Sequence, residues 1–278
     1  MNINGKTELA GVIGYPIEHS KSPLIHNYWF EKYNINGVYV PFAVKPSDFD
    51  DVVKNLSKFG FKGVNVTVPH KIRAMELVDI LSNEAKKIGA VNTIIVKNDG
   101  SLIGHNTDSF GFTQNIEQRC PNQISKGPAV LYGAGGAARA VCSALIDGNC
   151  PEIRLVNRTA SNAGKLAEIM NCNKIKIVDW EYRSECIDDA TLIVNSTSLG
   201  LDKSSDLPIE LGKLNPKAVV VDIIYNDTKT KFLRRAAVRG NIVIDGLGML
   251  LHQARPSFAS WFGIDPEVTE ELKELMFA

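Results

Sequence analysis

The 278-residue sequence has no excess of either charge, because 31 acidic residues balance 31 basic ones. A net charge near zero predicts no basic surface for nucleic acid or for an anionic membrane, so we expect neither as a partner. No apolar run approaches the roughly 20 residues that cross a bilayer, and the N-terminus lacks the apolar core of a signal peptide. The hydrophobic share of 44% is typical of an ordinary soluble protein.

Cysteine and histidine are also sparse, with five of each. The cysteines are scattered and include no Cys-x-x-Cys pair; they are Cys120, Cys142, Cys150, Cys172 and Cys186. This pattern argues against a disulfide framework or a zinc site and predicts a reducing compartment, the cytoplasm. The histidines form no tight ligand pattern, so no metal is expected.

Short apolar runs alternate with helical patterns in the first hundred residues, which predicts an α/β domain. We predict strands at 9–14, 37–43 and 64–68, and a hairpin of 90–97 and 101–104 that turns at 98–100. In the third strand, Val64, Val66 and Val68 are expected on the buried face. Helices are predicted from an N-cap at Ser22 to about residue 36, from 47 to 60, and from Pro69 to about 81.

A second α/β unit is predicted from about Lys126. Its strand candidates are 129–132, 153–156, 175–178, 191–194, 218–224 and 242–244, with helical stretches between several of them. That alternation predicts a doubly wound sheet of Rossmann type. A helical stretch is expected after Asp245 through Ala254, and a last helix is expected to be capped by Asp265 and Pro266.

A glycine-rich turn follows the first strand of the second unit. Residues 133–138 read GAGGAA, which fits the Gly-x-Gly-x-x-Gly/Ala fingerprint of dinucleotide sites. The glycines permit a tight turn and close approach of a pyrophosphate, whose charge the N-terminus of the following helix attracts. The alternative is a tight turn that binds no ligand.

The residues about 20 positions past the first of these glycines indicate which dinucleotide is bound. An NAD site usually carries Asp or Glu there, on the ribose hydroxyls. This chain reads Asn157-Arg158-Thr159. Without a carboxylate to repel a 2′-phosphate, and with a guanidinium to bind it, the sequence predicts NADP. The alternative is an ordinary turn with an exposed arginine.

Polar residues in the first unit each have a structural explanation when taken singly. Ser22 and Asp108 can cap helices, and Thr67 can face solvent from a strand. Asn92 can close a turn. Lys71 can be an ordinary surface lysine, since lysine side chains are mostly solvated.

Taken together, these residues resemble one family over nearly the whole chain, the shikimate dehydrogenases. Nine sequence blocks carry the resemblance: GYPIEHSKSP at 14–23, NVTVPHK at 65–71, GAVNT at 89–93, NTD at 106–108, GAGGAA at 133–138, NRT at 157–159, NSTSLG at 195–200, DIIY at 222–225 and DGLGMLLHQ at 245–253. The chain departs from the family at Asn226-Asp227, where Asn-Pro is common.

The resemblance implies an α/β substrate domain, a Rossmann-type NADP domain, and C-terminal helices that return to the substrate domain. The ranges it implies are 1–107 with 246–278 for the substrate domain and 108–245 for the NADP domain. The implied reaction is the reversible NADPH-dependent reduction of 3-dehydroshikimate to shikimate, on the route to chorismate and aromatic amino acids.

The same resemblance implies roles for individual residues. Ser20 and Ser22 are expected to hold the substrate carboxylate. The ring hydroxyls and ketone are expected to be surrounded by Asn65, Thr67, Lys71, Asn92, Asp108 and Gln253. Tyr225 and the turn 246–249 are expected between the substrate and the nicotinamide. The expected cofactor-binding residues are Gly133, Ala134, Gly135, Gly136, Ala137, Asn157, Arg158, Thr159, Thr197, Ile223, Gly246 and Met249.

Hydride delivery to a ketone builds an alkoxide, which must be stabilised and protonated. A lysine ammonium can do both: burial favours the neutral amine, and an adjacent carboxylate favours the ammonium. We therefore expect Lys71 and Asp108 to act as a coupled catalytic pair. The sequence does not apportion proton transfer between them.

Three alternatives stay open at this point. A quinate/shikimate dehydrogenase of the same fold shares most of the substrate blocks and often uses NAD. A binding or regulatory protein could keep the fold without catalysis, although Lys71 and Asp108 count against it. A folate dehydrogenase or tRNA-linked reductase would leave Ser20, Ser22 and Gln253 unexplained. The expected assembly is a monomer or a homodimer.

Overall fold

The structure, a computed structural model, describes residues 3–202, 204–225 and 229–277. The chain divides into two compact units: unit 1 comprises residues 1–107 and 251–278, and unit 2 comprises residues 108–250. The domain ranges given above stay a prediction. The departure at Asn226 and Asp227 lies outside the described residues.

Strands and helices alternate through most of the chain. The strands are β1 (Glu8–Gly14), β2 (Gly37–Ala43), β3 (Phe61–Val66), β4 (Ile80–Leu81), β5 (Thr93–Val96), β6 (Leu102–His105), β7 (Ala129–Tyr132), β8 (Ile153–Val156), β9 (Ile175–Val178), β10 (Leu192–Asn195), β11 (Val219–Asp222) and β12 (Ile242–Ile244). The α-helices are α1 (Ser22–Lys32), α2 (Phe49–Asn55), α3 (Asn83–Ile88), α4 (Asp108–Arg119), α5 (Gly136–Asp147), α6 (Ala160–Met170), α7 (Lys231–Val238), α8 (Leu247–Phe262) and α9 (Glu270–Leu275).

Unit 1 is built on a mixed sheet with the strand order β2-β1-β3-β5-β6-β4. The first three strands run parallel, and β5 pairs antiparallel with both β3 and β6. The predicted hairpin is therefore confirmed. Buried apolar side chains from β1, β3 and β5, including Ile13, Val64 and Ile94, pack in one cluster with Phe49 of α2.

The segment after β3 differs from the prediction. The strand ends at Val66, so Val68 is 69% exposed and does not share the buried face of Val64 and Val66. The helix expected from Pro69 to residue 81 is wrong: a short 3₁₀ turn spans Arg73–Glu76, and β4 follows. Strand β4 forms because it pairs in parallel with β6, a long-range contact that local sequence does not carry.

Three predicted helices also differ at their ends. Lys21 is the N-cap of α1, Ser22 is the buried first residue of the helix, and α1 ends at Lys32. The expected helix 47–60 is broken into α2 and a 3₁₀ turn at Ser57–Phe59. Helix α9 is capped by Thr269, whose Oγ1 accepts a 3.3 Å hydrogen bond from the backbone N–H of Leu272, rather than by Asp265 and Pro266.

Helix α8 is longer than predicted, because it continues through Pro256 to Phe262. Its buried face carries Leu251, Ala254 and Phe258. A proline inside a helix costs about 3 kcal/mol. Burial of two large side chains at about 1.5–3 kcal/mol each offsets that cost.

Unit 2 is a parallel sheet with the order β12-β11-β10-β7-β8-β9. Strands β7 to β9 extend the sheet in one direction, and β10 to β12 extend it in the other. Hydrophobic clusters include residues from both faces of the sheet, as a doubly wound fold requires. The predicted Rossmann-type architecture is confirmed. In the described part of the chain, no helix is both long and apolar enough to cross a membrane.

Candidate active site

Asn65 lies at the centre of a buried hydrogen-bonded network in unit 1. It is the next-to-last residue of β3, and its Oδ1 accepts a 2.7 Å hydrogen bond from the hydroxyl of Tyr39 on β2. Its Nδ2 lies 3.0 Å from Ser257 Oγ on α8 and 3.2 Å from the backbone carbonyl of Asn92. The network thus joins two strands, a loop and helix α8 through one amide.

Asn92 extends this network towards Gln253. Its Nδ2 donates a 2.9 Å hydrogen bond to Thr107 Oγ1 and lies 3.4 Å from Gln253 Oε1. Its Oδ1 accepts hydrogen bonds of 2.9 Å from the backbone N–H of Thr107 and from the hydroxyl of Thr93. Three predicted substrate residues, Asn65, Asn92 and Gln253, therefore belong to one cluster, in which a small hydroxylated ligand would meet side-chain amides.

Ser20 and Ser22 adjoin the N-terminus of α1. The backbone N–H of Ser22 lies 3.4 Å from Ser20 Oγ, and Pro23 occupies the first turn. No acidic residue lies in that turn. The first backbone N–H groups of a helix have no partner within the helix, so this end can accept an anionic group. Lys21, between the serines, donates a 2.6 Å hydrogen bond from Nζ to the carbonyl of Met276.

The loop that carries Thr67 and Lys71 is held by its backbone. The N–H of Thr67 donates to the carbonyl of Ile13 at 2.9 Å, and the N–H of Val91 donates to the carbonyl of Lys71 at 2.8 Å. Between them, the buried ring of His70 lies 2.8 Å from the carbonyl of Val44. Burial lowers the pKa of His70, so the neutral ring donates that bond.

Asp108 is buried, begins α4 and is the first residue of unit 2. Lys71 belongs to unit 1. Lys71 and Asp108 therefore belong to different units, and their expected pairing stays a prediction. Tyr225 lies in unit 2 just after β11, and burial raises its pKa, so the phenol keeps its proton at neutral pH.

The glycine turn at 133–138 connects β7 to α5, as the fingerprint predicts. Gly133 has a φ of +111°, and a Cβ there would lie 2.6 Å from Ser196 Oγ, so the fold itself requires this glycine. Gly135 is the N-cap of α5 and has an ordinary φ of −84°. No protein atom lies within 4 Å of a Cβ placed on Gly135. The packing of the protein does not require this glycine, and the open space leaves room for a pyrophosphate to approach the backbone closely.

Ala134, Gly136 and Ala137 complete the turn, and α5 begins at Gly136. The next candidate residues lie in the turn between β8 and α6. Asn157 Nδ2 donates a 2.9 Å hydrogen bond to the carbonyl of Thr159, which shapes the turn and leaves Arg158 exposed. This arrangement fits a cofactor that carries a phosphate on its adenosine ribose.

The remaining cofactor candidates follow β10, β11 and β12. Asn195 Oδ1 accepts hydrogen bonds from Thr197, from its N–H at 3.1 Å and its hydroxyl at 2.7 Å. A Cβ on Gly246 would overlap the carbonyl of Ile223, so these two loops touch through their backbones. Met249 is buried in the hydrophobic cluster of unit 2. In open α/β folds, ligands bind outside the carboxyl ends of the strands, where these loops lie.

The predicted site residues do not include Tyr39, Thr93 and Ser257, whose side chains bond directly to Asn65. Ser257 lies four residues after Gln253 on the same helical face, and that spacing was the available signal. Ser257 lies outside the predicted helical stretch, which ends at Ala254, whereas α8 continues through Pro256 to Phe262. No local signal identifies Tyr39. Among the described residues, no group of three or more His, Cys, Asp or Glu side chains could hold a metal ion.

Two family models match the chain. The model described as "Shikimate dehydrogenase substrate binding domain" matches residues 12–94, and the model described as "Shikimate / quinate 5-dehydrogenase" matches residues 113–223. Together they cover more than half of the sequence and leave the C-terminal region, with α8 and α9, outside the match.

Similar proteins extend the match over the full length. Shikimate dehydrogenase (NADP(+)) of Paramagnetospirillum magneticum is 47% identical over 99% of this chain and 100% of its own. A crystal structure of shikimate 5-dehydrogenase from Thermus thermophilus in complex with NADP(H) and shikimate is 35% identical, with a TM-score of 0.86 over 97% of this chain and 98% of that chain. A quinate dehydrogenase from Corynebacterium glutamicum in complex with NAD is 28% identical, with a TM-score of 0.90 over 97% and 98%. The chain belongs to the shikimate dehydrogenase family.

Proposed function

We propose that this protein catalyses the reversible NADPH-dependent reduction of 3-dehydroshikimate to shikimate, a step on the route to chorismate. The observation that carries the proposal is the 47% identity to a shikimate dehydrogenase (NADP(+)) over the full length of both chains. The buried amide cluster in unit 1 agrees with it, because a small polyhydroxylated acid needs many short hydrogen-bonding side chains.

The substrate-binding residues in this proposal are Ser20, Ser22, Asn65, Thr67, Asn92, Tyr225 and Gln253. The two serines and the N-terminus of α1 hold the substrate carboxylate without an arginine. Asn65 Nδ2, which carries two protons, lies within hydrogen-bond distance of three acceptors, and Oδ1 accepts from Tyr39. A carbonyl oxygen accepts two hydrogen bonds. Asn65 Oδ1 therefore suits a further bond from a ring hydroxyl.

Proton transfer falls to Lys71, paired with Asp108. When bound, NADPH supplies the hydride that reduces the ketone carbon. Lys71 donates a proton from Nζ to the ketone oxygen in the reduction, and it accepts the hydroxyl proton in the oxidation. Asp108 stabilises the charged ammonium between turnovers. Such a general acid–base group is worth roughly 10²–10⁴ in rate.

NADP is the cofactor, as the shikimate dehydrogenases (NADP(+)) among the relatives indicate. For this chain we assign the pyrophosphate to Gly133, Ala134, Gly135, Gly136 and Ala137 at the start of α5. Asn157, Arg158 and Thr159 take the ribose 2′-phosphate, with Arg158 as the charge partner. Thr197, Ile223, Gly246 and Met249 are assigned to the nicotinamide end.

A quinate/shikimate dehydrogenase with broader use of substrates is the second candidate. The observation in its favour is the TM-score of 0.90 to a quinate dehydrogenase in complex with NAD, at 28% identity. Quinate carries one more ring hydroxyl than shikimate, so the same amide cluster could bind either acid.

Steady-state kinetics with shikimate or quinate as substrate, each with NADP or NAD, test both candidates. We expect shikimate with NADP to give the highest kcat/KM, at least tenfold above quinate with NADP or shikimate with NAD. Equal kcat/KM for quinate favours the second candidate. No change in NADPH absorbance with either acid contradicts both.

Location and assembly complete the proposal. We propose a cytoplasmic enzyme, because all five cysteines are free, and three of them are buried. We propose a monomer or a homodimer.

A further inference from the structure

Two buried hydroxyl groups, those of Thr93 and Ser257, connect the side-chain amides of Asn65 and Asn92. Ser257 Oγ lies 3.0 Å from Asn65 Nδ2 and 2.8 Å from Thr93 Oγ1. Thr93 Oγ1 lies 2.9 Å from Asn92 Oδ1. These four side chains are at most 6% exposed, and Ser257 is wholly buried. The chain of bonds is therefore shielded from competing water.

The backbone fixes the orientation of both amides. Asn65 Nδ2 lies 3.2 Å from the carbonyl of Asn92, which can only accept, so that end of the Asn65 amide must be the NH₂ group. Asn92 Oδ1 lies 2.9 Å from the N–H of Thr107, which can only donate, so that end of the Asn92 amide must be the oxygen.

The direction of every bond between them follows. Thr93 must donate to Asn92 Oδ1, because an amide oxygen has no proton to give. Its single proton is then used, so Ser257 must donate to Thr93, and both hydroxyls accept from Asn65 Nδ2, at 3.0 Å for Ser257 and 3.1 Å for Thr93. At the other end, Asn65 Oδ1 must accept from the hydroxyl of Tyr39, at 2.7 Å.

Tyr39, which begins the chain of bonds, is itself held in place. The side chain of Asn27 makes two hydrogen bonds to the Tyr39 backbone, donating to its carbonyl at 2.9 Å and accepting from its N–H at 3.0 Å. The ring of Tyr39 stacks on His26 with 4.1 Å between centroids and 1° between planes. The Tyr39 hydroxyl is thus a fixed donor.

We propose that Ser257 and Thr93 are positioning residues that hold the Asn65 and Asn92 amides, in the orientation their backbone contacts define, against the bound hydroxy acid. The inference rests on the proposed function, because it assumes that these amides bind substrate. Reversing either amide would set two donors or two acceptors against each other in a buried site, which proteins avoid. The hydroxyl pair therefore reinforces the pattern of donors and acceptors that the two amides present to the ring hydroxyls.

The test compares Ser257→Ala, Thr93→Val and the double variant with the wild type. Thr93→Val keeps the side-chain shape and removes the donor to Asn92, and Ser257→Ala removes the donor to Thr93. We expect each single change to raise KM for shikimate about tenfold, the effect of one lost buried hydrogen bond. KM for NADP should stay within about twofold. Thr93→Ser, which keeps the hydroxyl, should restore KM for shikimate to within about threefold of wild type.

The double variant separates positioning from a general packing effect. If Ser257 acts through Thr93, the double variant should have about the KM of the worse single variant, whereas independent effects would multiply to about a hundredfold. Ser260→Ala is the matched control: Ser260 is on the same helix, is exposed and bonds to the carbonyl of Pro256. Thermal unfolding checks that each variant is folded. Calorimetric titration with shikimate checks that a raised KM reflects weaker binding of the substrate.

If Ser257→Ala fails to fold, Thr93→Val and Tyr39→Phe carry the test, each with the same expected rise in KM for shikimate. Wild-type KM in folded Ser257→Ala and Thr93→Val overturns the inference and leaves the proposed function standing. Multiplicative effects in the double variant also overturn it. A wild-type protein that neither binds nor oxidises shikimate overturns the proposed function, and the inference with it.

Discussion

Asn195 and Asp222 face each other at the carboxyl ends of the neighbouring strands β10 and β11, where Asn195 Nδ2 donates a 3.1 Å hydrogen bond to Asp222 Oδ1. The Asp222 carboxylate also accepts from the hydroxyl of Thr230 at 2.7 Å and from the N–H of Ile224 at 3.2 Å. The same Asn195 accepts two bonds from Thr197. One wholly buried carboxylate thus holds two of the loops that carry the proposed nicotinamide contacts.

Burial raises the pKa of Asp222 to about 6, although three hydrogen bonds to the carboxylate oppose the rise. Because this pKa in the folded protein lies above the ordinary value of 3.8, folding is more favourable when Asp222 is protonated. The contribution to stability is complete below about pH 4 and is lost as pH rises through 6. We expect the free energy of unfolding of the wild type, relative to Asp222→Asn, to fall by on the order of 3 kcal/mol between about pH 4 and pH 7.

Urea unfolding of both proteins at several pH values across this range measures that difference. The exposed Asp188→Asn is the matched control, because its profile should follow that of the wild type. A constant difference between wild type and Asp222→Asn over the whole range would show that Asp222 titrates normally in the folded protein.

Two glycines of the same turn should respond differently to substitution by alanine. Gly133 needs its positive φ, and a side chain there meets Ser196, so Gly133→Ala should lower the free energy of unfolding by about 1–3 kcal/mol. Gly135 has ordinary backbone angles and open space, so Gly135→Ala should change stability by less than about 1 kcal/mol.

The two substitutions should rank in the opposite order for NADP binding, with Gly135→Ala the more damaging. We expect Gly135→Ala to raise the Kd for NADP at least tenfold in a fluorescence titration, because its methyl group would lie where the pyrophosphate approaches the backbone. Unchanged NADP affinity in a folded Gly135→Ala protein would mean that the pyrophosphate binds elsewhere.

The sequence predicted unit 2 more closely than unit 1 for a physical reason. Strands β7, β8, β9 and β12 have the predicted bounds, because each is a short, largely apolar run flanked by turn residues. β7 is buried at every position, whereas β9 and β12 lie at the edges of the sheet and are partly exposed. Strand β4 has only two residues, Ile80 and Leu81, and exists through its pairing with β6. The local sequence after Pro69 favours a helix over a strand, so the helix prediction there is wrong for lack of this long-range information.

The candidate site shows the same division between local and long-range information. Motif blocks located Asn65, Asn92 and Gln253 individually. The hydroxyl of Ser257 that joins Asn65 to Thr93 lies 192 residues from Asn65 along the chain. Such a bond depends on how β3 and α8 pack, and only three-dimensional packing reveals it. The predicted helical stretch ends at Ala254 and so does not include Ser257, which lies on the continuation of α8.

Arg158 should determine the preference between the two nicotinamide cofactors. It is exposed in the turn after β8, at the position where an NAD site would carry a carboxylate. We expect Arg158→Ala to raise KM for NADP by about 10- to 100-fold, since an arginine–phosphate pair is a charge-assisted bidentate contact. KM for NAD should change by less than about threefold, because NAD lacks the 2′-phosphate.

Steady-state kinetics with both cofactors at saturating shikimate measure the two effects. Arg234→Ala, which removes an exposed arginine from α7, is the control for a general loss of positive charge. A parallel loss with NADP and NAD would indicate that Arg158 supports the turn rather than the phosphate.

Lys71→Ala should lower kcat for shikimate oxidation by roughly 10²–10⁴, the contribution of a general acid–base group, with a much smaller change in KM. The reason is that the loop backbone holding this residue is bonded to Ile13 and Val91 independently of the side chain, so truncation at Cβ leaves the surrounding site in place. Lys71→Arg should not restore kcat, because a guanidinium keeps its proton and cannot accept one from the substrate hydroxyl. Lys86→Ala, which removes an exposed lysine from α3, serves as the control. A kcat near the wild-type value in Lys71→Ala would exclude the proton-transfer role of Lys71 and assign it to Asp108 or to solvent. Rescue of kcat by Lys71→Arg would limit the role of Lys71 to electrostatic stabilisation of the alkoxide.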